Sequence, residues 1–241
     1  MEISIYTAMK FNLSLVLALI LTLMVSCSGG TNDFDRYGLK GNVKKVTELQ
    51  CDATYENEHW VASSNCEQGF RVMEFDEKGF YLRSMTIADG GDTLAMTIAK
   101  RENGELVEEI HYSGESMTPK HRRLVVVSRT IQDRVSDNQV NFEIWQQEQL
   151  RYEGATYYDS KGRVDRQVQV VNNLEVMVHS VYEKDLLVEM YQVDSYGSRL
   201  ATQKFEYGDF DKKGNWTLRL VYVGEEKITP EWAVSRTIEY R

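Results

Sequence analysis

The sequence predicts an all-β protein: an antiparallel hairpin-repeat sheet, curved as a single layer or partly wound. Three observations predict it. From Tyr37 onward, short runs alternate apolar and polar residues with period two, as a strand with two unlike faces requires. Between those runs a turn of the form aromatic–Asp–x–x–Gly recurs. No long stretch shows the 3.6-residue periodicity of an amphipathic helix. The 14 tyrosines, with many valines and threonines, suit pleated and half-buried surfaces.

The amino-terminal segment reads as an address. Phe11 to Val25 is almost wholly apolar, and its unbroken core, Leu13 to Val25, is 13 residues long. A membrane-spanning helix needs about 20 apolar residues, whereas the hydrophobic region of a secretory signal needs roughly 7–15. Lys10 supplies the preceding positive charge, and Met9 is an alternative start to Met1. The run ends in Leu23-Met24-Val25-Ser26-Cys27, which resembles the lipobox of bacterial lipoproteins, with Met24 standing where Leu is usual. The resemblance implies removal of residues 1–26 and attachment of diacylglycerol to Cys27. It also implies export and lipid anchoring in the bacterial cell envelope, with Ser28 pointing to the outer membrane. The alternative is an ordinary signal peptide with an incidental thiol at Cys27. Residues 27–36 then read as a flexible tether, and 37–241 as a single β-hairpin-repeat domain.

Cys51 and Cys66 form an even pair in an exported setting, which reads as a disulfide rather than two reduced thiols. Val43 to Cys51 and Phe70 to Phe75 look like strands, and the polar stretch Asp52 to Asn65 looks like the loop between them. Further on, Val164, Arg166, Val168 and Val170 alternate with Arg163, Asp165, Gln167 and Gln169. Leu218, Leu220 and Tyr222 alternate with Thr217, Arg219 and Val221. Asn141 to Glu153 fits either a strand or one helix face, and its neighbours favour strand.

The turns punctuate these runs at Phe75-Asp76…Gly79, Tyr158-Asp159…Gly162 and Phe210-Asp211…Gly214, with a relative at Val193-Asp194…Gly197. In such a turn Asp bonds backbone amides and Gly takes a positive φ without steric cost. Asp89-Gly90-Gly91-Asp92 is a further hairpin turn. The copy Tyr158-Asp159-Ser160-Lys161-Gly162-Arg163-Val164 resembles the YD repeats of RHS-type proteins. The opening Tyr37 to Thr47 and the closing Asp211 to Arg219 with Arg236 to Tyr240 resemble small lipoproteins of Bacteroides-type bacteria. That resemblance implies an extended, curved antiparallel sheet and no catalytic residue.

Chemistry-bearing motifs are sparse. His59, His111, His121 and His179 are dispersed without metal-ligand spacing, and His111 and His121 read as strand-surface positions. No nucleophile elbow or phosphate loop is present in the sequence, so neither metal nor cofactor is expected. The net charge of −9 argues against a nucleic-acid partner, and Lys120 to Arg123 reads as a solvated basic turn. The adjacent acids Glu108 and Glu109 would point to opposite faces of a strand. Trp60, Trp145 and Trp232 are candidate ligand-stacking residues, and Trp216 is expected to pack under its turn. The expected function is that of a non-enzymatic, lipid-anchored envelope protein that binds or scaffolds through a β surface, with a glycan or an envelope protein as partner. Two alternatives stand beside it. One is a glycan-active hydrolase with carboxylates converging in a groove. The other is a carrier of an apolar ligand, which needs a closed or half-closed cavity.

Overall fold

The computed structural model describes residues 33–34, 36–67, 69–118, 121–171 and 174–241. Residues 1–26, expected to be a signal segment, Cys27, expected to carry the lipid, and Lys120 lie outside the described residues. Among the described residues the regular structure is entirely β: β1 (Val43–Glu56), β2 (His59–Cys66), β3 (Phe70–Phe75), β4 (Tyr81–Ile87), β5 (Thr93–Glu102), β6 (Glu105–Thr118), β7 (His121–Ser136) and β8 (Gln139–Gln146). The chain continues through β9 (Gln149–Tyr158), β10 (Val164–Val171), β11 (Leu174–Glu183), β12 (Leu186–Asp194), β13 (Arg199–Tyr207), β14 (Leu218–Val223) and β15 (Trp232–Tyr240).

Each strand from β3 onward pairs antiparallel with the next, and the last pairs back onto the first. The closing ladder runs from Val43–Tyr240 to Cys51–Ala233. Cys51 pairs with Ala233 on one side and Cys66 on the other, so β2 lies on the same side of β1 as β3. β2 and β3 therefore act as one interrupted strand, and the wall has 14 antiparallel staves. Gly69 sits at the interruption with φ +144, where an added Cβ would meet the Ile87 carbonyl oxygen at 2.6 Å.

This closure overturns the expectation of an open, curved or partly wound repeat sheet. An open sheet leaves two rows of unpaired backbone groups, whereas β1 and β15 supply each other's missing partners. The stretch Asp52 to Asn65 is also not a loop. It forms the end of β1, a two-residue turn and β2, and the Cys51–Cys66 disulfide ties the base of that hairpin. Asn141 to Glu153 is likewise a hairpin, turning at Gln147-Glu148 between β8 and β9.

Four turns share one geometry. Asp76, Asp159, Asp194 and Asp211 each accept, through Oδ1, the N–H groups two and four residues on, at 2.8–2.9 Å. The glycine three residues on donates its N–H to the Asp carbonyl at 3.0 Å in each case, with φ between +75 and +86. Elsewhere two-residue turns place both residues at positive φ: Asn57-Glu58, Asn103-Gly104, Gln147-Glu148 and Lys184-Asp185. These φ values fit the primed turns whose twist matches a hairpin.

Register fixes which side chains share a face. One set, directed into the bore, includes Glu48, Arg71, Glu109, Thr130, Gln132, Thr156, Gln167, Gln169, Gln192, Gln203 and Arg236, all reached by cross-strand pairing from Glu48–Arg236 or from residues lining the bore. The opposite set forms the outer wall. It carries ion pairs at Lys45–Glu239, Arg83–Glu74 and Lys100–Glu108–Arg129, and Arg166 lies over the Tyr157 ring.

The bore is packed. One apolar cluster joins Leu39, Val43, Val46, Met73, Phe75, Tyr81, Leu106, Val140, Tyr158 and Val164 at the end holding the described amino-terminal segment. A second joins Val178, Met190, Phe205, Trp216, Val221 and Val234. Asp33, Phe34 and Arg36, assigned from the sequence to the tether, are docked in that end of the barrel. Asp33 is buried, its N–H donates to the Gly79 carbonyl at 2.9 Å, and its carboxylate accepts from the Tyr81 N–H at 2.7 Å and from Arg101. Asn215, fully buried, clamps the same segment through Lys40 and bonds Tyr240 at 2.6 Å.

Candidate binding chamber

Between the two apolar clusters lies a chamber of about 170 Å³. Met73 and Val164 come to it from the first cluster, and Met190, Phe205 and Trp216 from the second. Its polar lining is unusual for an acidic chain: Arg36, Arg71, Arg219 and Arg236 face it, with Glu48 and Asp185 as its acids. The strand pairs place them. Glu48 sits opposite Arg236 on β15 and Arg71 on β3, and Arg219 sits opposite Val234 and Tyr207.

Glu48 is the anchor. Its Oε1 accepts from Arg236 Nη2 at 2.6 Å and Nε at 3.0 Å. Burial pushes its carboxyl up, but Arg236, Arg219 and Arg71 together outweigh that and hold it at about 2. Arg236 also lies over the Trp216 ring, 3.4 Å from its centroid, and Arg219 lies over the same ring at 4.9 Å. Such cation–π contacts soften the cost of taking guanidinium groups out of water. Even so, Arg236 Nη1 and Arg219 Nε are buried with no hydrogen-bond partner.

A second space of about 370 Å³ opens beside the chamber and shares Gly38, Asp185 and Leu186 with it. Lys40, Lys161, Arg163 and Lys184 line this vestibule, together with Phe210. Asp185 pairs with Lys161 at 2.7 Å and Arg163 at 3.2 Å. Its hydrogen bond from Lys161, and the charges of Lys161, Arg163 and Lys40, hold its carboxyl below the usual range.

The residues singled out from the sequence lie elsewhere. Trp60 sits on the β1–β2 hairpin, packed with Ala53 and Ala62 over the outward residues Leu220, Tyr222 and Ala233. Trp145 is on the outer wall and donates from Nε1 to Glu143 at 2.9 Å. Trp232 packs at the edge of the second bore cluster. The structure does not bring these three together on one face. Trp216, by contrast, is buried and forms a chamber wall. His111 is not a surface residue. It points inward between the hydroxyls of Thr97 and Thr130, at 3.0 and 3.1 Å, and burial lowers its pKa to about 4. Glu108 and Glu109 do take opposite faces, and burial pushes the inward Glu109 carboxyl up to about 8. Among the described residues no three His, Cys, Asp or Glu side chains gather as a metal site. The sequence reading missed the four chamber arginines. They are scattered over 200 residues, and the signal that could have found them was Arg219 and Arg236 in register with buried residues.

No protein-family model and no curated protein matches the chain. Among solved structures it is similar to a porin-like protein from Bacteroides vulgatus, at TM-score 0.43 and 14% identity, covering 83% of this chain and 98% of that one. It is also similar to a porin-like protein from Bacteroides uniformis, at TM-score 0.34 and 10% identity, covering 83% and 99%.

Proposed function

We propose that the protein is a non-enzymatic, lipid-anchored barrel of the bacterial cell envelope that binds a small ligand in its arginine-lined chamber. The observation that carries this reading is the chamber itself: a closed wall, packed at both apolar clusters, that leaves a polar space between them with buried donors unpaired. The closed wall supplies the cavity that an open sheet lacks, and it moves the site from an outer β surface to the bore.

The chemistry of the chamber favours binding over bond-making. A glycan hydrolase needs one carboxyl held protonated near neutral pH to act as acid. The two acids that line the chamber, Glu48 and Asp185, are both shifted the other way. Glu109, the carboxyl that is raised, is buried in the bore elsewhere and does not line the chamber.

The outer wall favours standing on a membrane over spanning it. Lys45, Arg83, Lys100 and Arg129 face outward within strands, each in an ion pair. A Lys or Arg at the middle of a lipid-facing barrel wall costs roughly 2–4 kcal/mol. In this reading the lipid on Cys27 does the anchoring, and the end of the barrel where Asp33 docks faces the membrane. The test is Cys27→Ser. The variant is expected in the soluble exported fraction, folded and unlipidated, while the parent chain stays with the membrane. A Cys27→Ser protein that remains embedded and gives stepwise ion conductance in a planar bilayer would overturn the reading.

A further inference from the structure

We propose that the chamber is a site for a small oxyanion, a carboxylate or phosphate group, held by Arg71, Arg219 and Arg236 and reached through the cationic vestibule. This rests on the chamber-binding reading above and names the chemistry it selects.

The first argument is charge. Four arginines face the chamber, and the one acid within it, Glu48, is already clamped by Arg236 through a single oxygen. Asp185, at the junction with the vestibule, is engaged by Lys161 and Arg163. The chamber thus carries positive charge in excess, in a chain whose net charge is −9.

The second argument is unmet hydrogen bonding. Arg236 has a side chain only 5% exposed, yet its Nη1 has no partner, and Arg219 Nε has none either. Among the described residues Arg71, which lines the same space, forms no ion pair. A buried donor left unpaired costs about 1–3 kcal/mol. Waters could answer such donors, and about 170 Å³ has room for five or six at about 30 Å³ each. Water does not answer the charge, and an oxyanion answers both. Guanidinium groups fit carboxylate and phosphate oxygens in a planar fork.

The third argument is access. The vestibule presents Lys40 and Lys184, with Lys161 and Arg163 ion-paired to Asp185 and Asp159, and it shares Gly38, Asp185 and Leu186 with the chamber. Four cations against the single acid Asp185 leave the vestibule net positive, and a net positive cleft raises the local concentration of anions.

The experiment measures thermal stability and calorimetric binding of the folded mature protein at pH 7. The probes are inorganic phosphate, glucuronate and neutral glucose, with ionic strength matched by sodium chloride. Phosphate or glucuronate is expected to raise the midpoint in a saturable way, and glucose is not. Arg71→Gln is expected to weaken the oxyanion at least tenfold. That variant removes one of several like charges, so it should fold at least as well as the parent. Lys184→Gln, outside the chamber, should slow association and weaken it less. The carboxylate and phosphate arms separate the two sources of the anion. Glucose binding without either oxyanion would overturn the anion assignment and leave chamber binding standing. No saturable response to any probe would overturn both. An oxyanion response that Arg71→Gln leaves unchanged would place the ion elsewhere and overturn the assignment.

Discussion

Glu48 and Glu109 both point into the bore, from strands built with the same alternation, yet their surroundings treat them in opposite ways. Glu48 stands in the arginine chamber, where Arg236, Arg219 and Arg71 hold its carboxyl at about 2. Glu109 stands beside the docked amino-terminal segment, where Arg36 and Arg101 are countered by Asp33, and burial pushes it up to about 8. Its Oε1 has no hydrogen-bond partner among the described residues, and its Oε2 accepts a long bond from Gln132 at 3.4 Å. The lesson is that the barrel wall does not decide the state of an inward carboxylate. The local balance between lost hydration and nearby cations decides it.

The sharpest way to break this contrast is to strip Glu48 of its clamp. Arg236→Met keeps a long apolar side chain over Trp216 but leaves a buried carboxylate without its hydrogen-bonded partner. Breaking one side of such a pair costs roughly 3–5 kcal/mol. Equilibrium denaturation at pH 7 should show a loss of that size, shrinking as the solution is acidified. The sign follows from linkage. A carboxyl with a folded pKa of about 2, below its unfolded value, contributes stability that is present above the unfolded pKa and is lost as pH falls toward 2. A variant with no loss at pH 7 would mean that Glu48 is not held by Arg236.

Glu109→Gln probes the other half. Here the folded pKa is about 8, above the unfolded value of about 4.5, so the unfolded chain gives up its proton first. The parent protein's stability should therefore decline as pH rises from about 4.5 to 8, by up to about 5 kcal/mol at 1.36 kcal/mol per unit. Glu109→Gln should remove that slope. It should match the parent near pH 4.5 and exceed it at pH 8, as read by urea midpoints. Equal slopes for variant and parent would show that Glu109 ionises normally.

A third comparison sets the bore against the outer hairpin. The Cys51–Cys66 disulfide closes a separation of 15 residues at the base of β1–β2, and neither cysteine lines the charged chamber. Its removal by paired Cys→Ala substitution should cost about 3 kcal/mol in the chain-entropy view. The loss should be the same at pH 5 and pH 8, unlike that of either glutamate variant.

How much of this was legible in the sequence follows from the same geometry. The strands, the Asp–x–x–Gly turns and the disulfide were legible because they are set by neighbours in sequence. Closure was not, because the ladder that makes it joins residues such as Val43 and Tyr240 at opposite ends of the domain. Alternation also separates two faces without saying which is inside. Leu218, Leu220 and Tyr222 share one face of their strand, with Arg219 on the other. In the barrel Arg219 turns inward to the chamber, while Leu220 and Tyr222 face out beneath the β1–β2 hairpin. The inward Gln167 and Gln169 and outward Val168 invert the ordinary rule in the same way. A wall with a polar bore turns inward the face that would normally be assigned to solvent, so alternation alone gives no sign that the chamber arginines are buried.

The smallest expected effects separate the two kinds of turn. Asp194 touches the turn alone: its Oδ1 accepts the Tyr196 and Ser198 N–H groups at 2.9 and 2.8 Å. Asp194→Ala removes both bonds at an exposed site where water substitutes, so the cost should be about 1 kcal/mol. The Gln147-Glu148 turn has no such carboxylate, and both residues hold positive φ, at 49° and 62°. Non-glycine residues pay roughly 1 kcal/mol each in that region, and Asn-Gly is the pair best suited to it. Replacing Gln147-Glu148 with Asn-Gly should therefore stabilise the barrel by about 1 kcal/mol, as a rise in the urea midpoint with an unchanged slope. The two changes should be additive, since the turns share no partner. If Asn-Gly at 147–148 gained nothing, positive φ would not be what limits the bare turns, and the carboxylate would not be what distinguishes the Asp turns from them.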